Sequence, residues 1–263
     1  MPYTIAVLSQ KGGTGKTTTV RTLADALRRA GVRTLAIDLD PQGNLSDYFD
    51  VPPAAEPTIA DVLGGRVTIA QAIHGDAIPA NLSLAEAELM LGGKMGRELT
   101  LRRALAKAPP EHEIVLIDCP PSLGLLTVNA LVAADAALVT AEAQYFALQG
   151  VEQALQVIEA ARESLNPDLA LIGILLNLAD MRTVHSREAL TSLRESFGET
   201  VFDAVVRASI AYAESAERAV SILDHRPDLG ADYLALAHEL LGRIPGFEEA
   251  RRRLERLRHS SRT

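Results

Sequence analysis

Apolar positions in this chain come in short unbroken runs, separated by stretches in which they recur every three or four residues. The unbroken runs are TIAVLS (4–9), RTLAID (33–38), EIVLID (113–118), AALVTAEA (136–143), LALIGILLN (169–177) and VFDAVV (201–206), each of strand length. Between the first two, Val20, Leu23, Ala24 and Leu27 mark one face of a helix, and Ala30-Gly31 ends it. Residues 125–133, 149–164 and 186–197 also read as helices. Strands apolar on both faces, alternating with helices, predict an α/β fold: a mostly parallel twisted sheet flanked by helices on both faces. The Pro- and Gly-rich residues 51–79 predict short helices packed on one edge. A single domain is expected over 1–246, with 247–263 as a basic C-terminal helix or tail.

In such sheets ligands bind beyond the carboxyl ends of the strands. Lys16, Asp38, Asp118 and Asn177 all fall there. SQKGGTGKTTT (9–19) joins the first strand to the first helix and ends as a phosphate-binding loop does. Gly12, Gly13 and Gly15, with Thr14 between them, let the backbone wrap an anion, and the helix starting near Lys16 aims its N–H groups at it. The pattern predicts Lys16 on the β- and γ-phosphates, Thr17 on Mg²⁺ and Thr18 on the α-phosphate. Asp118, before Cys119-Pro120-Pro121, suits a Mg²⁺-bound water. Asp38 and Asp40 would repel a triphosphate unless they served the metal and the attacking water, and one of them is expected to orient that water. Asp40-Pro41-Gln42-Gly43 also reads simply as a turn. A second lysine, Lys11, has no role in this scheme.

Composition narrows the setting. With 263 residues, 48% hydrophobic and 23% charged, the chain is that of a globular protein, and no apolar run approaches the ~18 residues of a membrane span. The N-terminus enters a strand at once, so neither a signal peptide nor a preceding DNA-binding domain is expected, and a cytoplasmic location is. One cysteine excludes an internal disulfide, and six histidines without paired spacing give no zinc site. The net charge of −8 argues against a generic nucleic-acid binder. Residues 251–263, however, hold six arginines and one glutamate.

SQKGGTGKTTT, IDLDPQGN, LIDCPPSLGLLTVNAL and QYFALQG, in this order, resemble the ParA/Soj branch of the ParA/MinD ATPases, whose deviant Walker A motif carries an extra signature lysine. The resemblance runs from Tyr3 to about Gly242. It implies an ATP-dependent homodimer with two sandwiched nucleotides, in which Lys11 acts in trans and Lys16 in cis, much as an arginine finger does. It implies Asp40 as the residue positioning water, Asp38 nearer Mg²⁺, and Asn177 reading the adenine edge. Asn177-Leu178-Ala179-Asp180 has the spacing of a guanine-reading motif, but Leu178 replaces its lysine, so ATP is expected.

The resemblance also implies nonspecific DNA, the nucleoid, as the bound surface and a ParB-like or cargo-adaptor protein as the partner that stimulates hydrolysis. Arg182, Arg187, Arg207, Arg218, Arg226 and Arg251 are the candidate phosphate contacts, Arg207 being a candidate for the nucleotide too. The chain departs from many relatives at Ala219, where they carry glycine, and at Val206, where they carry proline. A MinD-like membrane cycle is the alternative. It would use the stripe Phe247, Ala250, Leu254 and Leu257, which is thin, so membrane binding is the less expected outcome.

Overall fold

The computed structural model describes residues 1–108, 111–144 and 147–260. Tyr145 and Phe146 of the QYFALQG stretch, and Arg262 of the tail, lie outside them. In chain order the elements are β1 (Tyr3–Leu8), α1 (Lys16–Arg29), β2 (Thr34–Asp38), α2 (Asn44–Tyr48), α3 (Ile59–Gly64), β3 (Ala77–Ile78), α4 (Ser83–Gly92), α5 (Thr100–Leu105) and β4 (Ile114–Asp118). They continue with α6 (Leu125–Ala133), β5 (Ala136–Glu142), α7 (Ala147–Ser164), β6 (Ala170–Ala179), α8 (Val184–Phe197), β7 (Val201–Arg207), α9 (Ala211–Glu217), α10 (Ile222–His225), α11 (Pro227–Gly242) and α12 (Glu248–Ser260).

Seven strands form one sheet in the order β3-β2-β4-β1-β5-β6-β7, every pair parallel. The six expected strands are all present to within one or two residues. The seventh, β3, was not expected. It is two residues long, sits inside the Pro- and Gly-rich segment, and pairs only through Ala77 and Ile78 with Ala36 and Ile37. Helices α4, α5 and α9–α11 were likewise not assigned from the sequence.

Strand periodicity explains the two cores. Along β1, Ile5 and Val7 face one helix layer while Ala6 and Leu8 face the other, all fully buried. One layer holds α3–α8, and the other holds α1, α11 and α12. In α12, Leu254 is fully buried and Ala250 nearly so, with Phe247 and Leu257 packed beside them. The apolar stripe considered for a membrane is therefore used on the core.

The register sets the site. Asp38 and Asp118 are paired at the ends of β2 and β4, and Val7 of β1 lies on the other side of Asp118. All three strands deliver their carboxyl ends to one rim, where the loop 9–15 crosses.

Candidate phosphate-binding site

The loop is built from its backbone outward. Gly13 and Gly15 have φ of +76° and +79°, the left-handed region that turns successive N–H groups inward. α1 starts at Lys16 with no side-chain cap and no acidic residue in its first turn, so its leading N–H groups remain available to an anion.

Hydroxyls hold the loop in shape. Ser9 Oγ donates to the Lys11 carbonyl at 2.7 Å and receives Lys16 Nζ at 3.0 Å, while Lys16 Nζ also reaches the Lys11 carbonyl at 3.2 Å. Ser9 has one proton and has given it away. Thr14 Oγ1, 2.8 Å off, must therefore donate to Ser9, and Thr140 Oγ1, 3.0 Å off, must donate to Thr14. The Lys11 carbonyl is thus held from two sides while its side chain stands exposed at the front of the loop. Ser9 and Thr140 were missed in the sequence. The only signal for Thr140 was a hydroxyl inside an otherwise apolar run.

Asn177 closes the loop from beneath. Its Nδ2 donates to the Thr14 carbonyl at 2.9 Å and lies 3.4 Å from both the Gly15 carbonyl and Thr19 Oγ1, while its Oδ1 accepts from Leu178 N–H. It is almost fully buried. In this chain the amide is engaged at both ends by the protein, and Asn177 braces the loop.

The acidic side has three residues with different roles. Asp38 is fully buried with both oxygens taken: Oδ1 accepts from Asp40 N–H at 3.0 Å, and Oδ2 from Ser46 N–H and Oγ at 2.9 and 2.7 Å. Ser46 in turn holds Ala80. Asp38 is therefore the anchor of the 38–46 loop, and it faces Asp118 across the strand pair. Burial pushes its carboxyl up to about 6. Asp118 accepts Thr17 Oγ1 at 2.7 Å on Oδ2, while its Oδ1 is buried with no hydrogen-bond partner. Burial first, and the facing Asp38 second, push its pKa well above the usual carboxylate range. Lys16 is pulled down by burial and partly restored by Asp118, Cys119 and Asp40. Asp40 is half-buried on a real turn, its carbonyl accepting Gly43 N–H and its Oδ1 accepting Gln42 N–H.

An orphaned carboxylate oxygen beside a threonine hydroxyl fits a hard, oxygen-seeking cation such as Mg²⁺. Among the described residues no cluster of three or more His, Cys, Asp or Glu could hold a metal. A cation at Thr17 and Asp118 thus needs further oxygens, such as those of phosphates. Gly12 lies against Pro121, so the loop and the 118–121 segment form one wall, and Thr18 stands half-buried in the first turn of α1.

Of the candidate DNA arginines, Arg207 ends β7, Arg182 follows β6 and Arg226 precedes α11. Arg182 makes a double contact with Asp180 at 2.9 and 2.8 Å, Arg226 with Asp228 at 2.9 and 3.0 Å, and Arg207 bonds Asp232 at 2.8 Å. Arg187 donates to the Met181 and Arg182 carbonyls. Arg218 and Arg251 are exposed. Arg207, at the end of β7, is held by Asp232 and the Asp228 carbonyl of α11. Ala219 has φ +50°, a left-handed conformation that suits glycine better than alanine. No described helix is long and apolar enough to cross a membrane.

Residues 3–171 match the family described as an AAA domain. The chain is similar to the chromosome partitioning protein ParA of Caulobacter vibrioides, 39% identical over 250 residues that cover 91% of this chain and 94% of that one. It is similar to the sporulation initiation inhibitor Soj of Bacillus subtilis, 36% identical over 90% of this chain and 97% of that one. Among solved structures, one titled cobyrinic acid a,c-diamide synthase from Mycobacterium smegmatis, with bound ADP and magnesium, superposes with a TM-score of 0.76 at 39% identity, covering 86% of this chain and 95% of that one. Loop, strand order and these likenesses agree: the chain belongs to the ParA/Soj branch of the ParA/MinD family of P-loop partition ATPases.

Proposed function

We propose that the protein is an ATP-dependent dimerising switch. With ATP and Mg²⁺, two copies face each other across their nucleotides and bind DNA without regard to sequence. Hydrolysis stimulated by a ParB-like or cargo-adaptor protein then releases them, so that a plasmid, chromosome region or protein assembly is positioned. One observation carries this reading: Lys11 is exposed at the front of a loop whose own phosphate lysine, Lys16, is already buried within it. A cation presented outward, on a carbonyl held by Ser9 and Lys16, is placed for another molecule's phosphates.

Within one subunit, Gly12–Lys16 and Thr18 cradle the phosphates, and Thr17 with Asp118 would hold Mg²⁺. When bound, such an ion would supply neutralisation of the phosphate charge, and the unpartnered Asp118 Oδ1 is suited to it. Asp40, on the rim of the turn that Asp38 anchors, orients the attacking water. Lys11 completes the charge balance from the partner, which makes dimerisation depend on nucleotide.

The DNA surface is the arginine group near β7. Arg182, Arg207 and Arg226 are paired with carboxylates, and exposed pairs of this kind are worth only about 0–1 kcal/mol, so they can be exchanged for phosphates. Dimerisation doubles every such contact and gives an acidic chain a local cationic face. The test is Asp40→Ala with ATP and Mg²⁺, sedimented with duplex DNA or with anionic liposomes. Binding to DNA that needs ATP and falls steeply with salt supports the proposal. Binding to liposomes alone, or to neither surface, refutes it.

A further inference from the structure

We propose that a cavity at the β3 edge of the sheet is a docking groove for an acidic peptide segment of a partner protein, one carrying aliphatic side chains among its carboxylates. This goes beyond the nucleotide and DNA reading and does not depend on it. The groove has a volume of about 420 Å³ and lies between α3, the segment after it, and α5. Its lining contains four cations, Arg66, Lys94, Arg103 and Lys107, and no carboxylate.

That charge is unusual in a chain of net charge −8. Arg66 is partly neutralised by Asp61, at 2.8 Å. Lys94, Arg103 and Lys107 make no ion pair among the described residues. All three are exposed. The Arg103 guanidinium lies against Gly96, which has φ +64° and on which a Cβ would come within 3.1 Å of Nη2. The missing side chain at 96 leaves Arg103 its place.

Two further observations select the ligand class. Aliphatic side chains line the groove, Val67 and Ala104 being only half-buried, and no aromatic side chain is present on which a base could stack. Close by in the chain, Leu89, Met90 and Met95 are 81, 67 and 99% exposed, Met95 directly following Lys94. Cations set among aliphatic lining residues, with Met95 exposed directly after Lys94, complement a peptide that combines carboxylates with aliphatic residues. A nucleic-acid strand would use the cations alone. The groove also lies on the sheet edge opposite β7, so an occupant leaves Arg182, Arg207 and Arg226 accessible.

The probe is a fluorescein-labelled peptide of about twelve residues, rich in glutamate with three spaced leucines, followed by anisotropy on the full chain. We expect saturable binding that weakens at least tenfold in Lys94→Glu/Arg103→Glu/Lys107→Glu, in about 0.5 M NaCl, and when the leucines become serine. Met95→Ser should weaken it several-fold. Circular dichroism and ATP binding of the triple variant should match the wild type, since these side chains are exposed and none of them lines the pocket at the phosphate loop. No binding, or equal binding to wild type and triple variant, overturns the proposal. An oligothymidine of equal length that binds as tightly and shares the dependence on the triple variant also overturns it, in favour of nucleic acid.

Discussion

Replacing Gly15 by alanine puts a methyl group at φ +79° and drives it into Asn177 Nδ2. The left-handed backbone alone costs a residue with a Cβ about 1–2 kcal/mol. Asn177 cannot simply step aside, because its amide is held by the Thr14 carbonyl at 2.9 Å and its Oδ1 by Leu178 N–H at 2.9 Å. Displacing it leaves a buried carbonyl unpaired, at about 1–3 kcal/mol. Gly15→Ala should therefore destabilise the nucleotide-free protein by ~3–4 kcal/mol. Asn177→Ala, which loses the same brace without the methyl, should cost ~2–3 kcal/mol. In the double variant the methyl has nothing to strike, so only the backbone cost adds to the lost brace, for a total of ~4 kcal/mol. The assay is urea unfolding followed by circular dichroism, with equal slopes required across the four proteins. A double variant that equals the sum of the singles within ~0.5 kcal/mol refutes the claim that Gly15 is required by Asn177.

Asp38 titrates at about 6 when folded, against an ordinary value of 3.8, so the folded state holds its proton more tightly. Its contribution to stability is full below pH ~4 and is lost as pH rises through 6, by ~3 kcal/mol in magnesium-free buffer. Urea midpoints should show this decline, and Asp38→Asn should flatten it. Ala219→Gly relieves the strain at φ +50° and should raise stability by up to about 1 kcal/mol after the entropy of glycine is counted; a lower midpoint would contradict this. Leu254→Ala removes the fully buried anchor of α12 and should cost ~2–5 kcal/mol, measured the same way. A loss below ~1 kcal/mol would mean that α12 does not depend on this contact.

The parallel sheet was legible because its strands are apolar on both faces, and the loop because glycines and a lysine follow the first strand at short range. Asp118 was legible for the same local reason. β3 was not: two residues carry no periodicity, and only pairing with β2 makes them a strand. The hydrogen-bond partners of Asp38 and Asn177 escaped for another reason. A strand-end polar residue announces a site, but which atoms it serves depends on partners far away in the chain. Thr14 lies 163 residues from Asn177, and Thr140 lies 126 from Thr14. Ser46, only eight residues from Asp38, looked like an ordinary turn residue until the fold folded it back. Ala219 is the converse case, a departure visible in the sequence whose cost only the backbone angle explains.

The central claim is that Lys11 serves a second copy of the chain. Sedimentation velocity of Asp40→Ala in ATP and Mg²⁺, beside Lys11→Ala/Asp40→Ala, tests it most directly. The account predicts a dimer for the first and a monomer that still binds ATP for the second. A dimer formed equally well without Lys11 would contradict it.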